Sequence, residues 1–310
     1  MTATDPQEAL IRALAAVGAA SVVPELIALE QGADNLPFAF RAPDGQNLVV
    51  KIRKSTAVPR YATAAWASAR LRAAGVPAPQ VLWHDQDACV ETRCPGRPLD
   101  HTGTGTADTA AAARAGETLR RIHGLTVTGF GRIDAANGTG RYASSRDWLR
   151  AATNTALPTT LPGDALALLQ RAYRTLHLGA RLMPRTHPRL LHGDFVARHV
   201  FTDGQDTSGV IDLESVRGGD PLADLAGFSL QETPELTRAL FAGYFEGTRP
   251  VKALMPLVLC RLRIAVSLLQ YHASCKDTAL IELRTAQIAS ELDDLSSGDL
   301  ALIPRITPGT

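Results

Sequence analysis

Residues 190–224 read LLHGDFVARHVFTDGQDTSGVIDLESVRGGDPLAD. A His-Gly-Asp follows a short apolar run and ends at Asp194, and eighteen residues later Asp212 ends a second apolar run. Two carboxylates at the ends of two neighbouring strands can face one small space. Phosphoryl transfer from a magnesium nucleotide needs such a pair, because one carboxylate orients the attacking hydroxyl and the other holds the metal on the phosphates.

The same stretch resembles the catalytic loop and metal-binding strand of the aminoglycoside phosphotransferase family, small-molecule relatives of the protein kinases. The family pattern is His-x-Asp, four residues and Asn, then an Ile-Asp strand and Gly-Asp-Pro. Here the pattern reads His192, Asp194, His199 and Asp212, with Gly-Asp-Pro at 219–221. The resemblance implies an α+β, protein-kinase-like fold of two lobes, with a small β-rich N-terminal lobe and a larger, mainly helical C-terminal lobe.

The pattern of apolar and turn residues along the chain agrees with that order of lobes. Short apolar runs separated by turn residues fill most of the first 95 residues, with one helical segment at 61–74, and helical patterns predominate beyond residue 100. We therefore predict a nucleotide-binding lobe over 1–95 and a helical lobe over 96–310 that carries the catalytic loop and the substrate pocket. The helices predicted in the second lobe span 106–123, 146–155, 163–182, 234–246, 251–274 and 277–294.

The resemblance implies a role for each residue of the catalytic loop. Asp194 would orient the acceptor hydroxyl and take its proton late in the transfer, where positioning matters more than basicity because the transition state is loose. His192 resembles the histidine that braces this loop, and we group it with the catalytic residues. Asp212 would hold Mg²⁺.

His199 stands where the family has asparagine. Asparagine offers a carbonyl oxygen to Mg²⁺, whereas imidazole is a softer ligand. Three roles are compatible with this difference: His199 binds a metal through a ring nitrogen, or it hydrogen-bonds to Asp194 or Asp212 while Asp212 carries the metal, or the site is catalytically dead. We favour the second role because both carboxylates remain.

Lys51 lies inside an apolar strand predicted over 47–53. It resembles the strand lysine that neutralises nucleotide phosphates in the family, and the alternative is a lysine whose stem carries its ammonium group out to water. In the family this lysine pairs with a glutamate on the following helix. Ala64 stands at that position here, and no Asp or Glu occurs between Lys51 and Asp85. The partner of Lys51 is then either a carboxylate of the other lobe or the phosphates alone.

Two further segments match the family's nucleotide site. Gly32, Asp34 and Asn35 lie in a turn that matches the glycine-containing loop over the nucleotide, where backbone amides bind phosphate oxygens. Glu91 and Arg93 belong to the segment that resembles the hinge, whose backbone groups bind the adenine edge.

These residues together predict an ATP-dependent or GTP-dependent, Mg²⁺-requiring O-phosphotransferase. The acceptor would be a hydroxyl of a small molecule, an antibiotic in our preferred interpretation, with resistance or self-protection as the role. Asp194, Glu214 and Glu232 are the candidate substrate-contacting residues. Residues 231–310 hold nine acidic and eight basic residues, so the sequence predicts no acid-rich surface for a polycation. The alternatives are a metabolite kinase for choline-like or homoserine-like compounds, and a catalytically inactive nucleotide-binding protein.

Composition limits the partners. The formal net charge of +1 gives no electrostatic basis for binding nucleic acid or an acidic membrane. The four cysteines form no Cys-x-x-Cys pair, and no basic region precedes an apolar segment near residue 1. We expect a cytoplasmic protein, monomeric or homodimeric, whose partner is a small hydroxylated substrate.

Overall fold

The computed structural model describes residues 5–20, 25–30, 34–54, 60–100, 108–154, 158, 161–248 and 253–297. The helices in these residues are α1 (Pro6–Ala16), α2 (Tyr61–Ala73), α3 (Thr109–His123), α4 (Ser145–Ala151), α5 (Gly163–Gly179), α6 (Leu222–Gln231), α7 (Pro234–Tyr244), α8 (Leu254–Cys275) and α9 (Thr278–Ser297). The strands are β1 (Ile27–Ala28), β2 (Asn35–Arg41), β3 (Asn47–Arg53), β4 (Val81–His84), β5 (Ala88–Thr92), β6 (Arg97–Pro98), β7 (Phe130–Asp134), β8 (Thr139–Tyr142), β9 (Arg189–Leu191), β10 (Val200–Thr202), β11 (Thr207–Val210) and β12 (Arg217–Gly219).

The chain packs as two compact units. The first consists of Met1–Pro98 and His199–Val216, and the second consists of Leu99–Arg198 and Arg217–Thr310. The lobe boundary between residues 95 and 96 stays a prediction. By packing, the segment that carries β10, β11 and Asp212 joins the first unit.

The first unit is built on two antiparallel sheets with strand orders β1-β2-β3-β5-β4 and β11-β10-β6. Side chains alternate between the two faces of a strand. On β3, Leu48, Val50 and Ile52 point into a core that α1 covers with Ala13 and other small residues. The alternation therefore turns Lys51 to the opposite face of the sheet, away from this core.

The second unit is mainly helical. Helices α3 and α7 pack together, α8 packs against α6 and α9, and a four-stranded sheet has the order β8-β7-β12-β9. Helix α6 begins after Asp220, whose carboxylate accepts the backbone N–H of Leu222 at 3.0 Å. Between α8 and α9, the buried Arg261 donates to the Glu291 carboxylate at 2.7 Å. This pair ties α8 to α9.

Helix α8 is, among the described residues, the one helix long and apolar enough to cross a membrane by length and composition. Of the 18-residue apolar stretch of this helix, 56% is buried inside the protein. A helix that is apolar around most of its circumference also suits the interior of a helical unit, and α8 has neighbouring helices on more than one side.

Candidate active site

The loop that follows β9 is held by charged side chains of the second unit. The carboxylate of Asp224, which is 3% exposed, accepts the backbone N–H of His192 at 2.7 Å and that of Gly193 at 2.9 Å. Arg217 donates to the carbonyl of Gly193 at 2.8 Å. Gly193 has a φ of 85°, a left-handed conformation that glycine adopts without steric cost. These contacts fix the backbone on either side of a glycine turn and leave the side chain of Asp194 32% exposed.

Asp224 is itself fixed by a buried histidine. His123 Nε2 lies 3.1 Å from the Asp224 carboxylate, and His123 Nδ1 lies 2.9 Å from the Tyr244 hydroxyl. Burial acts to raise the pKa of Asp224, but the hydrogen bond and charge of His123 outweigh it, so this pKa lies below its ordinary value. Asp224 therefore stays ionised beneath the loop and acts as a strong acceptor for the two amides.

Asp224→Asn is expected to lower the free energy of unfolding by about 2–3 kcal/mol at pH 7, because the amides lose a charged, buried acceptor. A carboxyl group whose pKa is lowered by folding stabilises the protein above its unfolded pKa of about 4, and this contribution is lost as the pH falls through the folded value. The stabilities of parent and variant should therefore differ most at neutral pH and approach each other in acid. Urea unfolding at pH 7 and pH 3 measures the difference, with Asp293→Asn, an exposed carboxylate on α9, as the control. Equal stability at pH 7 would contradict this role.

Further contacts shape the rest of the loop. The Asp194 backbone N–H donates to Nδ1 of His192 at 3.3 Å, which is a bracing contact for that ring. Glu232 accepts the backbone N–H of Ala197 at 2.8 Å, and burial raises the pKa of its carboxyl group. The contact of Glu232 with substrate stays a prediction. Arg198 Nη2 lies 3.7 Å from the Asp194 carboxylate, a neighbour that sequence reasoning missed.

Lys51 is held on the inner strands of the five-stranded sheet by Glu91. Its Nζ lies 2.9 Å from Glu91 Oε1 and 3.9 Å from Glu214 Oε1, and all three side chains are largely buried. In the register of β3 and β5, Lys51 faces Cys89 and Val49 faces Glu91, so Glu91 lies diagonally across from Lys51 on the same face. The partner of Lys51 is therefore a carboxylate of a neighbouring strand. The sequence had indicated only a carboxylate of the other lobe or the phosphates alone.

The buried position of Lys51 also bears on its charge. Burial acts to lower the pKa of Lys51, but the carboxylates of Glu91 and then Glu214 outweigh it and hold this pKa well above its ordinary value. Lys51 is 8% exposed, so its ammonium group does not extend into water as the alternative interpretation supposed.

Glu214, which follows Asp212 by two residues, is linked to Asn35 at the start of β2. Its Oε1 accepts the Asn35 amide at 2.9 Å, and the Asn35 carbonyl oxygen accepts the Tyr61 hydroxyl at 2.7 Å. Arg60 donates to the backbone carbonyl of Glu214 at 2.8 Å. Burial raises the pKa of Glu214 to about 7. The side-chain amide of Asn35 thus joins the start of α2 to the segment that follows Asp212.

The structure describes some of the other residues that are predicted to contact the nucleotide. The carbonyl of Asp34 accepts the backbone N–H of Lys54 at 2.8 Å, and Gly32 lies outside the described residues. In the predicted hinge, the backbone N–H of Arg93 donates to the carbonyl of Asn47 at 2.9 Å. Nucleotide binding by these residues stays a prediction.

Asp212 and His199 meet within the first unit. His199 Nε2 lies 3.5 Å from Asp212 Oδ2, and the backbone N–H of Ile211 donates to the carbonyl of His199 at 2.9 Å. Asp212 has φ 62° and ψ 51°, a strained conformation for a residue with a side chain and one that is concentrated at functional sites. Its side chain is 35% exposed. A partly exposed carboxylate suits Mg²⁺, which binds oxygen ligands and keeps several waters, so Asp212 fits the predicted metal.

Comparisons with known proteins bear on the family and on the fold. The sequence profile of the phosphotransferase enzyme family, APH, matches residues 6–254. A solved structure of the aminoglycoside phosphotransferase APH(4)-Ia, a ternary complex with ADP and hygromycin B, has a TM-score of 0.74 and 22% identity over 87% of this chain and 93% of that one. The macrolide 2'-phosphotransferase MphH from Brachybacterium faecium has a TM-score of 0.58 and 20% identity over 85% of this chain and 91% of its own. A choline/ethanolamine kinase family protein from Mesorhizobium loti has a TM-score of 0.67 and 20% identity over 98% of this chain and all of its own.

No curated protein matches this sequence at a significant level. The structural likenesses confirm the predicted fold, a kinase-like one with a β-rich N-terminal region and a mainly helical C-terminal region. Because the profile match covers most of the sequence, the chain belongs to the APH phosphotransferase enzyme family.

Proposed function

We propose that this protein is an O-phosphotransferase that uses Mg²⁺ and ATP or GTP to phosphorylate a hydroxyl of a small molecule, preferably an antibiotic. The observation that carries the proposal is the loop around Asp194. The buried Asp224 and the half-buried Arg217 hold its backbone, while the Asp194 carboxylate itself stays partly exposed. A carboxylate on a rigidly held backbone can orient a hydroxyl, and orientation is the main contribution that a protein makes to this reaction.

In the proposed mechanism each residue has one task. Asp194 orients the acceptor hydroxyl and takes its proton late, and His192 keeps the loop in shape. Lys51 neutralises phosphate oxygens, and Asp212 holds Mg²⁺, which when bound supplies positive charge to the phosphates. The loop at 32–35 and the hinge at 91–95 remain the proposed contacts for the phosphates and the adenine edge.

The preference for an antibiotic draws on the relatives. APH(4)-Ia was solved with hygromycin B, and MphH is a macrolide phosphotransferase. A relative in the choline/ethanolamine kinase family supports the alternative of a metabolite kinase. The third candidate, an inactive nucleotide-binding protein, has the substitution at His199 in its favour. We place the proposed enzyme in the cytoplasm, as a monomer or homodimer.

A turnover assay separates these functions. Purified protein with Mg²⁺ and ATP or GTP is offered hygromycin B, other aminoglycosides, macrolides, choline and ethanolamine, and nucleoside diphosphate is measured. We expect acceptor-dependent release with at least one antibiotic. Release with choline or ethanolamine alone would favour the metabolite kinase, and nucleotide binding without turnover on any acceptor would favour the inactive protein.

The proposed role of His199 is a brace beside Asp212, and the 3.5 Å separation supports it. His199→Asn should then keep activity, because the amide can also brace Asp212 and adds an oxygen ligand for Mg²⁺. His199→Ala should lower kcat about tenfold by loosening Asp212. Activity is measured against Mg²⁺ and Mn²⁺ concentration for the three proteins. A strong Mn²⁺ preference in the parent that both variants lose would identify His199 as a direct metal ligand instead.

A further inference from the structure

We propose that Glu91 is a positioning residue for phosphoryl transfer: its carboxylate, on a strand next to β3, fixes the Lys51 ammonium group where it meets the nucleotide phosphates. The inference rests on the proposed function, in which Lys51 binds those phosphates. It gives Glu91 a side-chain role that differs from the backbone role predicted for the hinge.

The distances identify Glu91 as the principal partner of Lys51. The Nζ of Lys51 lies 2.9 Å from Glu91, a charge-assisted hydrogen-bond distance, and 3.9 Å from Glu214. Glu214 also accepts the Asn35 amide on the same oxygen, so part of its acceptor capacity is used elsewhere. Glu91 therefore makes the short contact, and Glu214 lies at a greater distance.

Burial makes this pair costly to break. The side chains of Lys51 and Glu91 are 11% and 6% exposed, and a buried charge without its partner is strongly destabilising. The pair lies on adjacent inner strands, because β3 is flanked by β2 and β5, and β5 by β3 and β4. Both backbones are thus fixed by hydrogen-bonded neighbours on two sides. Glu91 holds Lys51 from within the rigid part of the sheet.

Helix α2 cannot supply an equivalent carboxylate. It has no acidic residue, and the buried Ala64 occupies the position where the family resemblance led us to look for one. It is linked to this region by hydrogen bonds instead: the Tyr61 hydroxyl donates to Asn35, and the Asn35 amide donates to Glu214. The position of Lys51 is therefore set by β5 and does not depend on an ion pair with α2.

A double-mutant cycle tests whether Glu91 acts through Lys51. We expect Glu91→Gln to lower kcat/KM about 10²-fold, because an ammonium group that is displaced by about 1 Å no longer meets the phosphates correctly. In a Lys51→Met background the same change should cost nothing more, since the group that Glu91 positions is already gone. The dissociation constant of the magnesium nucleotide, measured by calorimetry, gives a second cycle that does not require turnover.

Asp87→Asn is the matched control. Asp87 is a buried carboxylate in the turn between β4 and β5 of the same sheet, and it pairs with Arg53 at 2.7 Å and with Arg12 at 3.2 Å. Its loss should reduce thermal stability, but kcat/KM and nucleotide affinity should stay at the parental level. The comparison separates general destabilisation of the sheet from a specific effect on Lys51.

Each outcome decides between distinct conclusions. Parental kinetics and affinity in Glu91→Gln, or an effect of the same size with and without Lys51, would overturn the proposal. If Glu91→Gln does not fold, Glu91→Asp carries the same cycle, because it keeps the charge but retracts it by one methylene. If the parent shows no turnover, the proposed function fails, and the calorimetric cycle still decides whether Glu91 acts through Lys51.

Discussion

Replacing Asp194 with alanine is expected to lower kcat by about 10²–10⁴, the usual contribution of a positioned general base, with nucleotide affinity close to that of the parent. The backbone of its loop is held by Asp224 and Arg217, so removing the Asp194 side chain should leave the loop in place. The acceptor hydroxyl then loses its orientation and its proton acceptor. Steady-state kinetics and calorimetry with the magnesium nucleotide measure the two effects separately.

Glu246→Gln, at an exposed carboxylate of the second unit, is the control and should keep parental kinetics. Parental turnover by Asp194→Ala with any accepted substrate would remove the assignment of Asp194. A matching loss of nucleotide affinity would instead give Asp194 a part in binding the metal nucleotide.

Asp212→Ala should have a second large effect, which falls on nucleotide binding as well as on turnover. Without its main anionic ligand, Mg²⁺ should no longer strengthen binding of the nucleotide. We expect the affinity for nucleotide to become nearly independent of Mg²⁺ and turnover to fall at least as far as in Asp194→Ala. Titration of nucleotide at several Mg²⁺ concentrations measures this dependence.

The control for Asp212→Ala is Asp203→Ala, which removes a carboxylate from the exposed turn between β10 and β11 of the same segment. Asp203 holds its turn by accepting the backbone N–H groups of Gln205 and Asp206, so the variant should affect local stability rather than binding. Mg²⁺-dependent binding that persists in Asp212→Ala would show that another residue carries the metal.

Elements of typical length and composition were predictable from the sequence. The strand predicted over 47–53 is β3, and the helix predicted over 61–74 ends one residue earlier, at Ala73. The helix predicted over 163–182 is α5 followed by a short 3-10 turn at Ala180–Leu182. These segments have the length and composition typical of a strand or a helix, and Gly75 follows the end of α2, so local sequence and tertiary packing favour the same structure.

Short strands of the second unit were missed. The hairpin of β7 and β8 turns through Asn137 and Gly138, a pair typical of hairpin turns, but it lies in a region whose composition is otherwise helical. Strand β12 has the sequence Arg-Gly-Gly, which has no strand propensity of its own, and it is held by pairing with β7 and β9. Long-range pairing of this kind leaves no local pattern to read.

The residues of the candidate site also include some that the sequence identified and some that it did not. Asp194, Asp212 and Lys51 could be chosen from the motif and from their positions at or within apolar runs. Glu91 was predicted only as a backbone contact of the hinge. Its side-chain contact with Lys51 depends on the register between β3 and β5, which the sequence does not show. The role of Asp224 was also missed, although a charged residue within an apolar helix is a signal that it has buried partners.

The most direct test of the central claim is the identity of the phosphorylated product. The protein is incubated with Mg²⁺, nucleoside triphosphate and an accepted hydroxyl compound, and phosphorus NMR follows the γ-phosphate. We predict one phosphate monoester of the acceptor for each nucleoside diphosphate, formed by the parent and by Asp203→Ala but not at a comparable rate by Asp194→Ala or Asp212→Ala. Nucleoside diphosphate that appears only with free phosphate, or product that forms as fast without Asp194, would contradict it.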